Sequence, residues 1–178
     1  GPRLAADFAQ VEYYARFFNF IQPPLFEVGT KKFTQANGGA ADPTIFKMFD
    51  LELLEGDATT ALTKPKTIAI NSTLKKKYFG DEEAVGKTIE IFNQNFEVVA
   101  VYEDFPRYSH FQRNYFFAID GIVPEEGMEN WGWSQFHTYI KLKPGSDVET
   151  LKASLEDFAE RHAWPETKPD GGYYIPHL

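Results

Sequence analysis

Hydrophobic residues fall in short runs that switch repeatedly between helical and strand spacing along the chain. Leu4, Ala5 and Phe8 place a short helix within Arg3–Gln10, and the Tyr- and Phe-rich run Val11–Phe20 reads as a strand ended by Pro23-Pro24. Leu25–Val28 and Lys31–Gln35 flank Gly29-Thr30 as a hairpin, which Asn37-Gly38-Gly39 closes. Asp42-Pro43 predicts a helix start, with Asp42 as N-cap, Pro43 in the first turn, and Ile45, Phe46 and Phe49 on one side. Leu51–Leu54 is a short buried strand stopped at Gly56-Asp57, and Thr67–Ile70 is a second. Asn71 or Ser72 caps the next helix, which presents Leu74 and Tyr78 four residues apart. Lys75 to Lys77 favour its carboxyl end, and Gly80 terminates it. Thr88–Phe92 and Phe96–Val101 form a hairpin across Asn93-Gln94-Asn95.

Asn114–Ile119 is a further strand, Gly121–Trp133 a loop, and Phe136–Leu142 an alternating strand that stops at Pro144-Gly145. Ser146 and Glu149 have capping-box spacing. Behind them Val148, Leu151, Leu155, Phe158 and Ala159 form one face of a single helix. Tyr173–Ile175 is a short strand candidate after Gly171-Gly172. Strands and helices alternate without a long βαβ array, which points to the α+β class. No internal repeat or low-complexity linker interrupts the chain.

Composition narrows this picture. A chain of 178 residues, 43% hydrophobic and 16% aromatic, is long enough for one packed unit and too apolar for a disordered segment. The balance of 18 Lys and Arg against 26 Asp and Glu gives −8, which argues against a nucleic-acid partner. Absence of cysteine removes disulfides, thiol catalysis and cysteine-ligated zinc. No run approaches the ~20 apolar residues that span a bilayer. Gly1-Pro2 has the form of a protease-cleavage remnant, which implies a natural start further upstream.

Candidate chemistry is sparse. Gly86-Lys87-Thr88 ends like a phosphate-binding loop, but that motif needs glycine where Asp81 stands, and Thr88 opens a strand rather than a helix. A structural turn is the better reading. His110, His137, His162 and His177 lack metal-ligand spacing, and His162 falls where a helix end would favour a cation. Acid pairs such as Glu55/Asp57 and Glu103-Asp104 sit at turns, where a solvated face accounts for them. No serine elbow occurs, and no catalytic residue, cofactor or metal is expected. Trp131, Trp133 and Phe136 are the candidate partner-contact residues, an aromatic platform whose plainer role is to cover a core edge.

A series of blocks in fixed order carries a family resemblance: Asp42–Asp50, Leu53–Asp57, Ile68–Asn71, Lys76–Gly80 and Val85–Thr88. Phe96–Val101, Asp104–Pro106, Ser109–Phe111, Trp131, Thr138-Tyr139 and Leu142–Gly145 continue it. This order resembles the MacB-like periplasmic core domain of FtsX-like ABC-transporter permeases, from about Val11 to about Ala159 and most specifically across Asp42–Lys87. The resemblance implies an extracytoplasmic domain at the periplasmic face of the inner membrane, set between two transmembrane helices. It implies two lobes, an inserted sabre-like lobe at about 30–105 and a porter-like lobe from about 3–29 plus 106–178. It implies as partners a second permease subunit, a cytoplasmic ABC ATPase and a periplasmic adaptor or lipoprotein. The function implied is the coupling of ATP hydrolysis to periplasmic movement and partner or substrate engagement. The rival readings are a stand-alone periplasmic ligand- or peptide-binding module using the Trp131–Phe136 loop, and a hydrolase with distant carboxylates.

Overall fold

The computed structural model of the chain describes residues 1–128, 130–133, 135–172 and 176. A helix at Pro2–Asp7 (α1) leads into the strand Val11–Asn19 (β1), then the hairpin of Leu25–Val28 (β2) and Lys31–Thr34 (β3). Gly38–Ala41 (β4), Ile45–Met48 (α2), Leu53–Gly56 (β5), Thr67–Asn71 (β6) and Ser72–Phe79 (α3) follow. Next come Thr88–Ile91 (β7), Gln94–Tyr102 (β8), Tyr115–Ala118 (β9), Glu125–Met128 (α4) and Phe136–Leu142 (β10). Val148–Ala153 (α5), Leu155–His162 (α6) and Trp164–Thr167 (α7) end the series, before a 3₁₀ turn at Lys168–Asp170. The ten strands form one mixed sheet in the order β10-β1-β4-β9-β6-β8-β7-β2-β3, with β5 pairing β8 beside that path. The fold is α+β, as the alternation of elements implies.

At the middle of the sheet β9 pairs in parallel with β4 and antiparallel with β6, and all four of its residues are buried. Because side chains alternate along a strand, Tyr115 and Phe117 enter one core with Phe26, Ile68 and Ile70. Phe116 and Ala118 enter the other, with Phe17, Phe46 and Phe111. Leu74 and Tyr78 of α3 cover the first face, and Ile45 and Phe46 of α2 cover the second. A third cluster of Phe8, Val11, Leu151, Leu155 and Phe158 fastens α1, α5 and α6 to the start of β1. Each fully buried Phe contributes about 1.5–3 kcal/mol by removal from water.

Local signals hold where the partner is close in sequence. Asn71 caps α3 as predicted, its Oδ1 accepting from the Leu74 amide at 2.9 Å. Asp104 adds a second cap, accepting from the Thr73 amide at 3.2 Å and the Ser72 hydroxyl at 3.0 Å.

Elsewhere the structure corrects the expectations. Asn37-Gly38-Gly39 does not close a unit, since Gly38 begins β4. A Cβ on Gly38 would lie 2.3 Å from the Tyr115 ring, and one on Gly39 only 2.1 Å from the Phe18 carbonyl oxygen. Close approach therefore requires glycine in the strand.

Asp42 is not the N-cap of α2, which starts at Ile45 after Thr44 without a side-chain cap. Its carboxylate instead takes three bonds from Arg16: the backbone amide at 2.8 Å, Nε at 2.9 Å and Nη2 at 2.9 Å. The predicted buried strand Leu51–Leu54 is displaced to β5, alternates in burial and pairs only with the end of β8. The β7–β8 turn is Phe92-Asn93 rather than Asn93-Gln94-Asn95, both residues having left-handed φ of 55° and 58°. α4 lies within the stretch expected to be loop.

Ser146 forms no capping box. Asp147, one residue on, accepts from the Glu149 and Thr150 amides at 3.0 and 3.2 Å, while Ser146 Oγ donates to the Lys143 carbonyl. The single helix expected behind it breaks at Ser154, whose hydroxyl bonds back to the Thr150 carbonyl at 2.9 Å. Leu151, Leu155, Phe158 and Ala159 are buried as expected, but Val148 is exposed. The strand candidate Tyr173–Ile175 and His177 lie outside the described residues.

Both members of the Arg16–Asp42 pair are largely withdrawn from water, at 15% and 10% side-chain exposure. Removing one partner strands a charge. Asp42→Ala is expected to cost about 3 kcal/mol in urea unfolding, and the double change Arg16→Met, Asp42→Leu to recover much of that loss.

Candidate partner-contact site

The loop after α4 carries Trp131 and Trp133, and β10 begins with Phe136. Trp131 is half-buried and meets Phe158 of α6 edge-on at 5.8 Å, while its backbone amide donates to Glu166 Oε2 at 3.3 Å. Trp133 lies the other way, 5.9 Å from the Phe18 ring, and is 36% exposed. Gly127 makes room for it, because a Cβ there would lie 2.7 Å from the indole. Phe136 is half-buried and meets Phe18 at 5.2 Å. The three aromatics thus anchor in two packing groups and do not form a single flat platform.

They do share a cleft. A cavity of about 800 Å³ is bounded by Trp131, Trp133, Phe136, Ile140, Leu155 and Phe158, with Arg16, Thr138, His162 and Glu166 among its polar walls. Its size and mixed lining fit an apolar group carrying a few hydrogen-bonding atoms. Arg16 is held in place by Asp42 and approaches Met128 Sδ at 3.5 Å. Burial alone would depress its pKa, but the hydrogen bonds and charge of Asp42 outweigh that and raise it. Phe18, Arg16, Leu155 and Phe158 went unnoticed as site residues in the sequence, because each reads locally as ordinary strand or helix.

The profile of the MacB-like periplasmic core domain matches residues 2–158. The chain belongs to that family. Among solved structures this MacB-like domain is similar to a domain of a permease protein from Porphyromonas gingivalis. The two share 25% identity over 90% of this chain and 75% of that one, with a TM-score of 0.78. The periplasmic region of MacB from Actinobacillus actinomycetemcomitans has the same fold at 18% identity, 89% and 71% coverage and a TM-score of 0.68. So has the extracellular domain of the ABC-type transporter YknZ from Gram-positive bacteria, at 11% identity, 98% and 83% coverage and a TM-score of 0.64. A search of the curated proteins finds no match. The protein is therefore a periplasmic domain of a MacB-like ABC-transporter permease, a transporter component rather than a class of enzyme.

The Gly86-Lys87-Thr88 turn and the Glu55/Asp57 pair of this MacB-like domain have structural partners. Gly86 and Lys87 turn the chain from α3 into β7, the Gly86 amide donating to Val98 at 2.9 Å and the Lys87 ammonium pairing with Glu82. Glu55 accepts from the Ala84 and Val85 amides at 2.7 and 3.2 Å, and Asp57 closes a turn through Thr59. No helix among the described residues is long and apolar enough to cross a membrane. No group of three or more metal-ligating side chains occurs among them either.

His162 is in the last turn of α6, but it bonds to the Asp7 carboxylate at 2.8 Å rather than to the helix end, beside Arg161 at 2.6 Å. The hydrogen bond with His162 holds the Asp7 carboxyl below the usual carboxylate range; slight burial opposes this and Arg161 reinforces it. A carboxyl depressed on folding stabilises fully above its unfolded pKa, about 3.9, and loses that contribution as pH falls through the folded value. Asp7→Ala is expected to cost about 0.5–1 kcal/mol in urea unfolding at pH 7, and progressively less as pH falls below the unfolded pKa of about 3.9. A cost that shows no decline as pH is taken from 7 into the acid limb of unfolding would refute this assignment.

Proposed function

We propose that the domain couples ATP hydrolysis by a cytoplasmic ABC ATPase to movement on the periplasmic side of the inner membrane, and there engages partner or substrate. In this reading flanking transmembrane helices tie it to the membrane. A second permease subunit completes the transporter, and a periplasmic adaptor or lipoprotein meets the Trp131–Phe136 surface. The observation that carries the proposal is the family match over 2–158, in a chain whose ten strands share one sheet packed on both faces. Such a body resists compression and moves as a unit when pushed at one end.

The division into a sabre-like part at about 30–105 and a porter-like part from about 3–29 plus 106–178 belongs to the same proposal. Its support is that β5, β6, α3, β7 and β8 pack together within the first range, while β1 and β10 pair across the second. The two ranges meet within the sheet where β6 pairs β9 and where β4 pairs β1 and β9.

A rigid cross-link fixing this domain in the full-length permease should abolish transport-linked function while ATP binding survives. Unimpaired function after cross-linking would sink the proposal. The cleft of about 800 Å³ favours one second reading, a stand-alone periplasmic module binding a ligand or peptide. Tryptophan fluorescence titrated with peptide and lipid extracts separates the two, and a flat response counts against the module.

A further inference from the structure

The main path of the sheet ends in two edge strands, and the chain treats them differently. β3 is four residues long and carries Lys31 and Lys32, and the Lys31 ammonium folds back to donate to the Lys77 and Tyr78 carbonyls at 3.1 and 2.7 Å. Lysine on a short edge strand guards against pairing with another chain. β10, at the opposite end of the order, is seven residues long and pairs only with β1 among the described residues. From Phe136 to Ile140 it has no lysine, no proline and no shift of register.

The register shows which backbone groups that edge leaves free. Opposite residues of an antiparallel pair alternate between those that exchange hydrogen bonds and those that do not. Phe18 stands opposite Phe136, and the Asn19 amide donates to the Gln135 carbonyl at 3.0 Å, so Asn19 and Gln135 are a bonded pair. The bonded pairs that follow are Phe17 with His137 and Ala15 with Tyr139. β1 agrees, because the Arg16 amide and carbonyl both turn away from β10 and bond to Asp42. The amides and carbonyls of Phe136, Thr138 and Ile140 therefore point out from the edge of the sheet. The side chains of the same three residues share a face with Arg16 and Phe18 and line the cleft, whereas Tyr139 packs on the other face against Phe49 and Phe111.

We propose that β10 receives an extended segment of a partner protein as an added strand, with an acidic residue at the end that meets Lys141. A helix keeps its backbone bonds to itself, whereas an extended chain can bond a free row of amides and carbonyls. Alternate side chains of such a segment fall on the face of the cleft, where Trp131, Leu155 and Phe158 offer apolar walls. Residues 136–143 contain His137, Lys141 and Lys143 and no acid, in a chain that carries −8 overall. Arg16 and Arg161 in the cleft already have Asp42 and Asp7, and Lys143 donates to the Ala9 carbonyl. Lys141 is exposed and has no ion pair among the described residues. A second β10 brings the same cations to the edge, so another copy of the chain is the poorer occupant. The proposal rests on reading the Trp131–Phe136 loop as a partner contact, and adds to it the strand, the register and the charge.

The probe is an acetylated, fluorescein-labelled octapeptide in which valine and threonine alternate between terminal aspartates. Main-chain bonds supply the affinity in this mode, so the sequence of the probe matters little. Fluorescence anisotropy with the 178-residue chain is expected to show saturable binding below about 1 mM. Thr138→Pro deletes the outward amide and spares the ladder with β1, as proline on an edge strand can. It should weaken binding about tenfold, while Thr138→Val leaves binding unchanged. Circular-dichroism melts check that both variants fold. N-methylation of one alternating set of probe amides should abolish binding and of the other set leave it, a readout that needs no variant of the protein. Lysines in place of the aspartates should weaken binding severalfold. Absence of binding, equal effects of the two methylation sets, indifference to Thr138→Pro, or equal affinity for the lysine probe overturns the inference. A concentration-dependent dimer in sedimentation equilibrium that Thr138→Pro abolishes overturns it in favour of a second copy. Binding lost in Thr138→Pro but untouched by Trp133→Ala upholds the added strand and removes the aromatic surface from the partner-contact reading. None of these results bears on the cross-linking test in the full-length permease, so the two ideas fail separately.

Discussion

β9 has no solvent face, and that constraint governs its neighbours. Tyr115 and Phe117 fill one core while Phe116 fills the other, so bulky rings leave the same short strand in both directions. Sheet spacing leaves about 4.8 Å between strands, and on the β4 side only Gly38, Gly39 and Ala40 stand opposite those rings. Gly38 lies against the Tyr115 ring, and Ala40, Ala41 and Ala69 occupy buried positions on the flanking strands. The helices follow from the same arrangement. α3 closes one aromatic core and α2 the other, and Asn71 and Asp104 fix where α3 begins.

How much of this the sequence discloses depends on the distance between partners. β1 is legible from its run of Tyr and Phe, and β7 and β10 from β-like patterns internal to the strand. The Asn71 cap is legible because its acceptor and donor lie three residues apart. β4 is hidden, since Gly-Gly is also the signature of a turn, and only Tyr115 and Phe18, brought near by the fold, require it there. Asp42 was misassigned for the same reason: Arg16, 26 residues away, outcompetes a local cap with a bidentate, charge-assisted bond. The break at Ser154 is masked because Leu151 and Leu155 keep helical spacing across it. At the candidate site the tryptophans are visible by type. Their separation into two packing groups depends on where α6 and Phe18 lie, which no local pattern records.

The function proposed above calls for a body that transmits movement. Glu55, Asp57, Asp104 and the Gly86-Lys87-Thr88 turn serve caps, turns and ion pairs. The cleft lined by Trp131, Trp133 and Phe136 is open to contact. Arg16 links the two concerns, because it lines the cleft while its bonds to Asp42 tie β1 to the segment entering α2. In the proposed coupling, a load applied at Phe18 would reach β1, which is tied to β10 and β4 by backbone hydrogen bonds.

Native-state hydrogen exchange tests the central claim, that the sheet is one mechanical unit organised by β9. The account predicts that the slowest amides of Phe17–Asn19, Thr67–Asn71 and Tyr115–Ala118 open together, with one free energy, and that Phe117→Ala lowers all of them by the same amount, about 3–5 kcal/mol. If β6 and β8 kept their protection while β1 and β10 lost theirs, the sheet would be two bodies and the account would be wrong.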